Sequence, residues 1–165
     1  LVKKVVFPLA LLPWAPVMNA LFHVGMSMIL LLVVALAWGV APQMQWLLLP
    51  VILLPLGILL WGVSLLLASL GVFMRDLPQV VTLFIGLLQF LTPVFYPVSA
   101  LPPFVQKMFG WNPLTVFIEQ VRGLVFHGNL PTPQWWAQSL LVSLLLAGLG
   151  YALFRRVRGG FADVL

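Results

Sequence analysis

Glu119 and Arg122 stand three residues apart, close enough on a helix to pair across one turn. Few other groups in the sequence could hold or move charge. Of 165 residues only three are acidic, eight are Lys or Arg, two are His and none is Cys. Without cysteine there is no disulfide scaffold and no thiolate metal site. No His/Glu pair has metal-ligand spacing. Ser64 lies in Gly62-Val63-Ser64-Leu65-Leu66, which lacks the second glycine of a nucleophile elbow, and no acid stands near it in sequence. No glycine-rich phosphate cradle occurs, so the chain binds no cofactor of its own and any ATP is bound elsewhere. His23 is the one ionisable group within the apolar stretches. A lone His near a span entrance reads first as a hydrogen-bonded structural residue, with a proton relay as the sharper alternative. For Glu119 and Arg122 the plain reading is a solvated surface pair. The sharper one puts them at a channel mouth, orienting a short helix or meeting a polar substrate.

The elements that position these groups must be membrane spans. The chain is 63% hydrophobic and 7% charged, with a mean hydropathy of +1.16. Ordinary soluble domains carry about 25% charged residues. No charge occurs between Lys4 and Arg75, between Leu77 and Gln106, or between Gly123 and Phe154. At about 20 apolar residues per crossing, these runs hold four helical spans, expected at 17–39, 46–72, 79–97 and 134–154. Pro50 and Pro55 are expected to kink the second. Arg75 and Asp76 form a minimal loop between the second and third. The fold class is therefore an all-α polytopic membrane protein, one transmembrane domain over 1–165. Residues 98–133 are the least membrane-like. Pro102-Pro103 opens a short helix that Gly110 is placed to end. Asn112-Pro113 opens another, with Asn as N-cap and Pro in the first turn. Leu114, Phe117, Ile118, Val121, Leu124 and Val125 give that helix one apolar stripe. It is too short and polar to span, so it is expected to lie at the interface or re-enter shallowly. Ser27, Ser64, Ser69 and Ser143 read as small residues at helix–helix contacts.

Four spans put both ends on one side. Lys3, Lys4, Arg75, Arg155, Arg156 and Arg158 share that side, which is therefore expected to be cytoplasmic. The net charge of +5 needs no nucleic acid, since this topological bias accounts for it. Lys3 and Lys4 ahead of an apolar run resemble a secretory leader, but Pro8, Pro13 and Pro16 break the helix such a leader needs. The better reading is a cytoplasmic segment, 1–16, leading into the first span. With no Asp, Glu, Lys or Arg inside the spans, active transport would have to draw energy from another subunit.

Several motifs resemble the ABC-2-type permeases that export polysaccharides such as O-antigen, capsule and teichoic acid. They are Leu1-Val2-Lys3-Lys4-Val5-Val6-Phe7-Pro8, Val72-Phe73-Met74-Arg75-Asp76-Leu77-Pro78, Leu91-Thr92-Pro93-Val94-Phe95-Tyr96-Pro97, Trp111-Asn112-Pro113-Leu114, Phe154-Arg155-Arg156 and Phe161-Ala162-Asp163-Val164-Leu165. The resemblance covers essentially the whole chain. It implies the C-terminal two-thirds of a six-span permease, without its N-terminal helix and first two spans. It also implies a permease homodimer around a channel in the bacterial inner membrane, with two copies of an ABC ATP-binding subunit carrying the ATP and Mg. Lys3, Lys4, Phe7 and Pro8 would lie in the segment coupled to that ATPase, and 98–133 would be re-entrant helices around the exit. The cargo would be polysaccharide or a lipid-linked glycan. Phe95, Tyr96 and Trp111, whose rings can pack on sugar faces, would stand at the exit with Glu119 and Arg122. Interface anchoring is the plain reading of those aromatics. The tail 155–165 would meet anionic lipid or the ATPase, or simply anchor topology. A same-fold permease for a drug or lipid is the nearest alternative, and a passive channel or structural membrane subunit the different-class one.

Overall fold

A computed structural model describes residues 14–157. Lys3, Lys4, Phe7 and Pro8, and the tail from Arg158 onward, lie outside the described residues. The described part contains six α-helices: α1 (Trp14–Ala37), α2 (Leu49–Gly71), α3 (Leu77–Leu91), α4 (Pro103–Phe109), α5 (Pro113–His127) and α6 (Pro133–Val157). Two 3-10 turns, Met44–Leu48 and Val98–Ala100, join them, and there is no strand among the described residues.

Three segments are long and apolar enough to cross a membrane: Trp14–Ala37, Met44–Gly71 and Pro133–Val157. The third expected span is shorter than its apolar run. Pro93 bars the helical conformation from the residue before it, so Thr92 is extended (φ −117°, ψ 129°) and α3 stops at Leu91. At 1.5 Å per residue, its 15 residues reach about 22 Å, against a hydrocarbon core of about 30 Å.

α2 and α6 form the spine. They run parallel, Val51 level with Trp136 and Gly62 with Ala147, with backbones in contact because the facing positions are small. A Cβ added to Gly62 would lie 2.6 Å from the Ala147 nitrogen, and one on Gly150 would lie 2.5 Å from the Gly62 carbonyl. Ser69 and Ser143 are fully buried, as their expected packing role requires. Their hydroxyls donate back to Leu65 and Ser139 four residues earlier, each at 2.7 Å. Ser27, by contrast, faces outward on α1.

The two prolines expected to kink α2 differ. Pro50 sits in the first turn, where its missing N–H would be unpaired anyway. Pro55 is buried inside the helix and cannot donate to the carbonyl of Val51, four residues back. The Trp136 indole of α6 takes that place, Nε1 donating to Val51 O at 3.1 Å.

α1, unlike α6, runs antiparallel to α2. Trp14 stacks on Trp61 at 5.1 Å, Leu21 lies against Gly57, and Ala35 packs with Leu49 in the buried core. That core is completed by α5, which presses Phe117, Val121, Leu124 and Val125 against the ends of α1 and α2. These four belong to the stripe expected from sequence; Leu114 and Ile118 are half-buried beside them. α5 ends where Gly128 takes a left-handed conformation (φ 66°), and the N–H groups of Gly128 and Asn129 both reach Gly123 O. Gly110 does follow the last residue of α4, but with right-handed φ and ψ. Pro113 starts the next helix three residues on, and that restart turns the chain.

One end of the bundle thus carries Arg75, Asp76, Arg155 and Arg156. The other carries α4, α5, Lys107, Arg122 and the tryptophans Trp38, Trp46, Trp111, Trp135 and Trp136.

Candidate functional site

Because α3 stops abruptly, its last carbonyls and those just past it lack helical partners. Side chains from downstream supply them. The Tyr96 hydroxyl donates to Phe90 O at 2.9 Å, and Asn112 Nδ2 donates to Leu91 O at 3.2 Å. Arg122 Nη2 donates to Pro93 O at 2.8 Å. Its other terminal nitrogen, Nη1, is hydrogen-bonded to Glu119 Oε1 in an ion pair. Glu119 Oε1 also accepts from the Val98 N–H at 3.4 Å. A guanidinium placed just beyond a helix C-terminus also meets the negative end of the helix dipole. Residues 92–98 are thereby strapped to the face of α5.

α5 can do this because its sequence starts it at a fixed point. Asn112 Oδ1 accepts from the Leu114 N–H at 3.0 Å as N-cap, while the same side chain's amide nitrogen reaches back to α3. Glu119 and Arg122 then fall on the flank facing the strap, off the buried stripe. Their side chains are 35% and 23% exposed, so the pair is neither fully solvated nor dry. Tyr96 packs edge-on against Phe109 of α4 at 6.3 Å, tying the third short element in.

The structure therefore brings Tyr96, Glu119 and Arg122 together. Phe95 and Trp111 stay outside the hydrogen-bonded cluster, 77% and 90% exposed, with their rings projecting at the same end. Arg75 and Asp76 are exposed at the opposite end and make no ion pair with each other. Trp111 also borders a cavity of about 250 Å³ between α5, α6 and α2, which Phe117, Trp135, Gln138, Ser139 and Ser143 help to line. The Trp135 indole N–H is buried and has no partner among the described residues. Such a wall offers ring faces beside amide and hydroxyl groups. Among the described residues no group of His, Asp or Glu could hold a metal ion.

Two participants escape a reading of the sequence. Asn112 is visible as an N-cap, but its bond to Leu91 spans 21 residues and leaves no local signal. Trp136 reads as an interface anchor; only the pairing of Pro55 with the gap it leaves at Val51 exposes its other role.

Residues 1–126 match the family described as ABC-2 type transporter. Two proteins of Klebsiella pneumoniae, each called O-antigen export system permease protein RfbA, are 28% identical to the chain over 166 residues, covering 100% of it. A Myxococcus xanthus protein of the same name is 28% identical over 99% of the chain. The chain spans 64% of the length of each of these relatives. With more than three-quarters of its residues inside the family match and three helices able to cross a bilayer, the chain is a multi-pass membrane protein belonging to the ABC-2 type transporter family.

Proposed function

We propose that the chain is the transmembrane permease part of an ATP-driven exporter that carries polysaccharide or lipid-linked glycan across the bacterial plasma membrane. The observation that carries this is the likeness to O-antigen export permeases, which runs the full length of the chain, strapped α4–α5 region included. On this reading the chain is not an enzyme and binds no cofactor; ATP and Mg sit on two partner ABC subunits, and a second permease copy completes the channel.

α1, α2 and α6 cross the membrane, and α3 with the extended residues after it makes the fourth crossing. Both ends of the chain face the cytoplasm. The charged end of the bundle supports this, since Arg75, Arg155 and Arg156 gather there. The segment with Lys3, Lys4, Phe7 and Pro8 then meets the ATPase beside the Arg75–Asp76 loop. At the other face α4 and α5 re-enter as a collar. Glu119 and Arg122 hold the collar to α3, while Phe95, Tyr96 and Trp111 offer rings to a hydroxyl-rich chain as it leaves.

Complementation of permease-deleted bacteria with the full-length protein tests this. Tyr96→Ala and Glu119→Ala are each expected to lower surface glycan several-fold, with membrane abundance and ATPase co-purification unchanged. Wild-type export, or a loss that tracks protein abundance, would strip these residues of the exit role. Unchanged surface glycan in the deletion strain itself would remove the glycan as cargo.

A further inference from the structure

The cavity of about 250 Å³ between α2, α5 and α6 changes in polarity with depth, and all of its walls come from this chain. At the α4–α5 end, Gly110 and Trp111 form its rim. Trp135 stands in the first turn of α6, and Gln138 about one turn further in. The Trp135 ring lies edge-on to Phe117 at 5.7 Å, and its indole N–H is buried without a partner. A buried donor with no acceptor is costly. The Gln138 amide is exposed beside the opening and has no partner among the described residues.

Deeper in, the wall asks for nothing. Ser139 Oγ donates to Trp136 O at 3.0 Å, and Ser143 Oγ donates to Ser139 O at 2.7 Å. Leu59 of α2 and Val142 of α6 complete the wall there, and α5 adds Val116 and Phe117. Trp135 and Ser143 are about 12 Å apart along α6. Spread over that length, about 250 Å³ gives a mean section of about 20 Å². A helix is at least about 10 Å across, so no membrane-spanning segment fits. The slot begins among the tryptophans that mark the interface and reaches toward the middle of a hydrocarbon core about 30 Å thick. It is apolar, narrow and open at its polar end, which is the form of a single acyl chain.

Charge at the rim points the same way. Lys107 stands one helical turn before Gly110 and Trp111, exposed and without an acidic partner among the described residues. Arg122, at the same end, is already paired with Glu119.

We infer that this cavity binds one membrane phospholipid. An acyl chain fills the slot, an ester carbonyl accepts from the Trp135 indole, and the phosphate meets Lys107. The Gln138 amide is free to donate to the second ester. A glycan fits poorly, because the deeper wall has no free donor for its hydroxyls, and water fits poorly for the same reason. The bound chain would fill the space between α5 and the α2–α6 pair, so that the seat of α5 is partly lipid. The inference does not depend on the export reading.

The test uses the full-length permease with its ATPase, reconstituted in vesicles of phosphatidylethanolamine and phosphatidylglycerol. A trace of phosphatidylglycerol carries a diazirine midway along one acyl chain, and adducts formed on illumination are mapped by peptide mass spectrometry. Adducts at Leu59, Val116 and Val142 are expected to exceed those at Leu141 and Leu144 at least fivefold. The latter two are exposed at the same depth on other faces of α6. Excess unlabelled phosphatidylglycerol is expected to displace the probe. Trp135→Phe keeps the ring and removes the donor, and Lys107→Gln removes the charge. Each is expected to lower the cavity adducts at least threefold while those at Leu141 and Leu144 stay unchanged, which also reports that the variant is folded. Even labelling of all five positions would overturn the site, as would cavity adducts that survive both substitutions. Stronger displacement by a polyprenyl phosphate than by phosphatidylglycerol would give the cavity to a lipid-linked cargo instead. A Val142→Cys variant that cross-links to another protein segment, with no lipid adduct nearby, would show the slot filled by protein. None of these measurements involves transport, so failure of the export reading would leave their outcome standing.

Discussion

The Trp136–Val51 hydrogen bond shows how one residue can repair a defect that another creates. Pro55 leaves a carbonyl without a helical donor, in a setting where an unpaired polar group costs more than in water. An indole N–H from the neighbouring helix fills the vacancy. Trp136→Phe keeps the ring and removes the donor. It is expected to destabilise the full-length protein in detergent by about 1 kcal/mol in denaturant titration. In a Pro55→Ala background the backbone regains its own donor, so the same change should cost far less; equal costs in both backgrounds would mean that the indole bond does not compensate for the proline. Of such features the sequence discloses only the local half. Asn112-Pro113 is readable as a helix start because cap and proline act within two residues. The reach of that same Asn to Leu91, of Arg122 to Pro93 and of Trp136 to Val51 depends on how helices are stacked, which no spacing encodes.

Among the elements, α2 and α6 depend on having almost nothing between them. Without a hydrophobic drive to bring helices together in lipid, close backbone packing is what holds them. Gly150→Leu would force a side chain onto the Gly62 carbonyl. It is expected to cost about 3 kcal/mol and to lower the melting midpoint of the detergent-solubilised protein, whereas Gly148→Leu, which meets nothing within 4 Å, should be nearly silent. Similar losses from both would mean that the seam is looser than the backbone shows. Ser69 and Ser143 were readable as small residues at helix contacts, whereas the part of Gly62, Ala147 and Gly150 shows only in the packed pair. The length of α3 was not readable either: apolar content carried the expected span through to residue 97, while the single Pro93 cut the helix at Leu91.

At the scale of the whole molecule, positive charge gathers at one end and tryptophan at the other. Orientation follows if the charged end is cytoplasmic. In intact cells, Gln43→Cys and Asn129→Cys in a cysteine-free background are expected to react with an impermeant maleimide, and Asp76→Cys only after the membrane is opened. The inverted pattern would turn the molecule over. Orientation by charge was readable from composition alone.

The way α3 is held has a mechanical consequence. The α2–α6 pair has no slack, since either backbone would collide with the other before it could slide. α3, by contrast, contributes no buried side chain, and it is attached mainly at its two ends: a five-residue link at 72–76 and the side-chain straps from Tyr96, Asn112 and Arg122. It is a lever beside a fixed post. Swung by 10° about the link, a rod of about 22 Å displaces its far tip by about 4 Å, and the straps make the collar travel with the tip. A push delivered beside Arg75 and Asp76 would thus arrive at the opposite face as a sideways shift of Glu119 and Arg122, with no movement required of the two helices that form the spine.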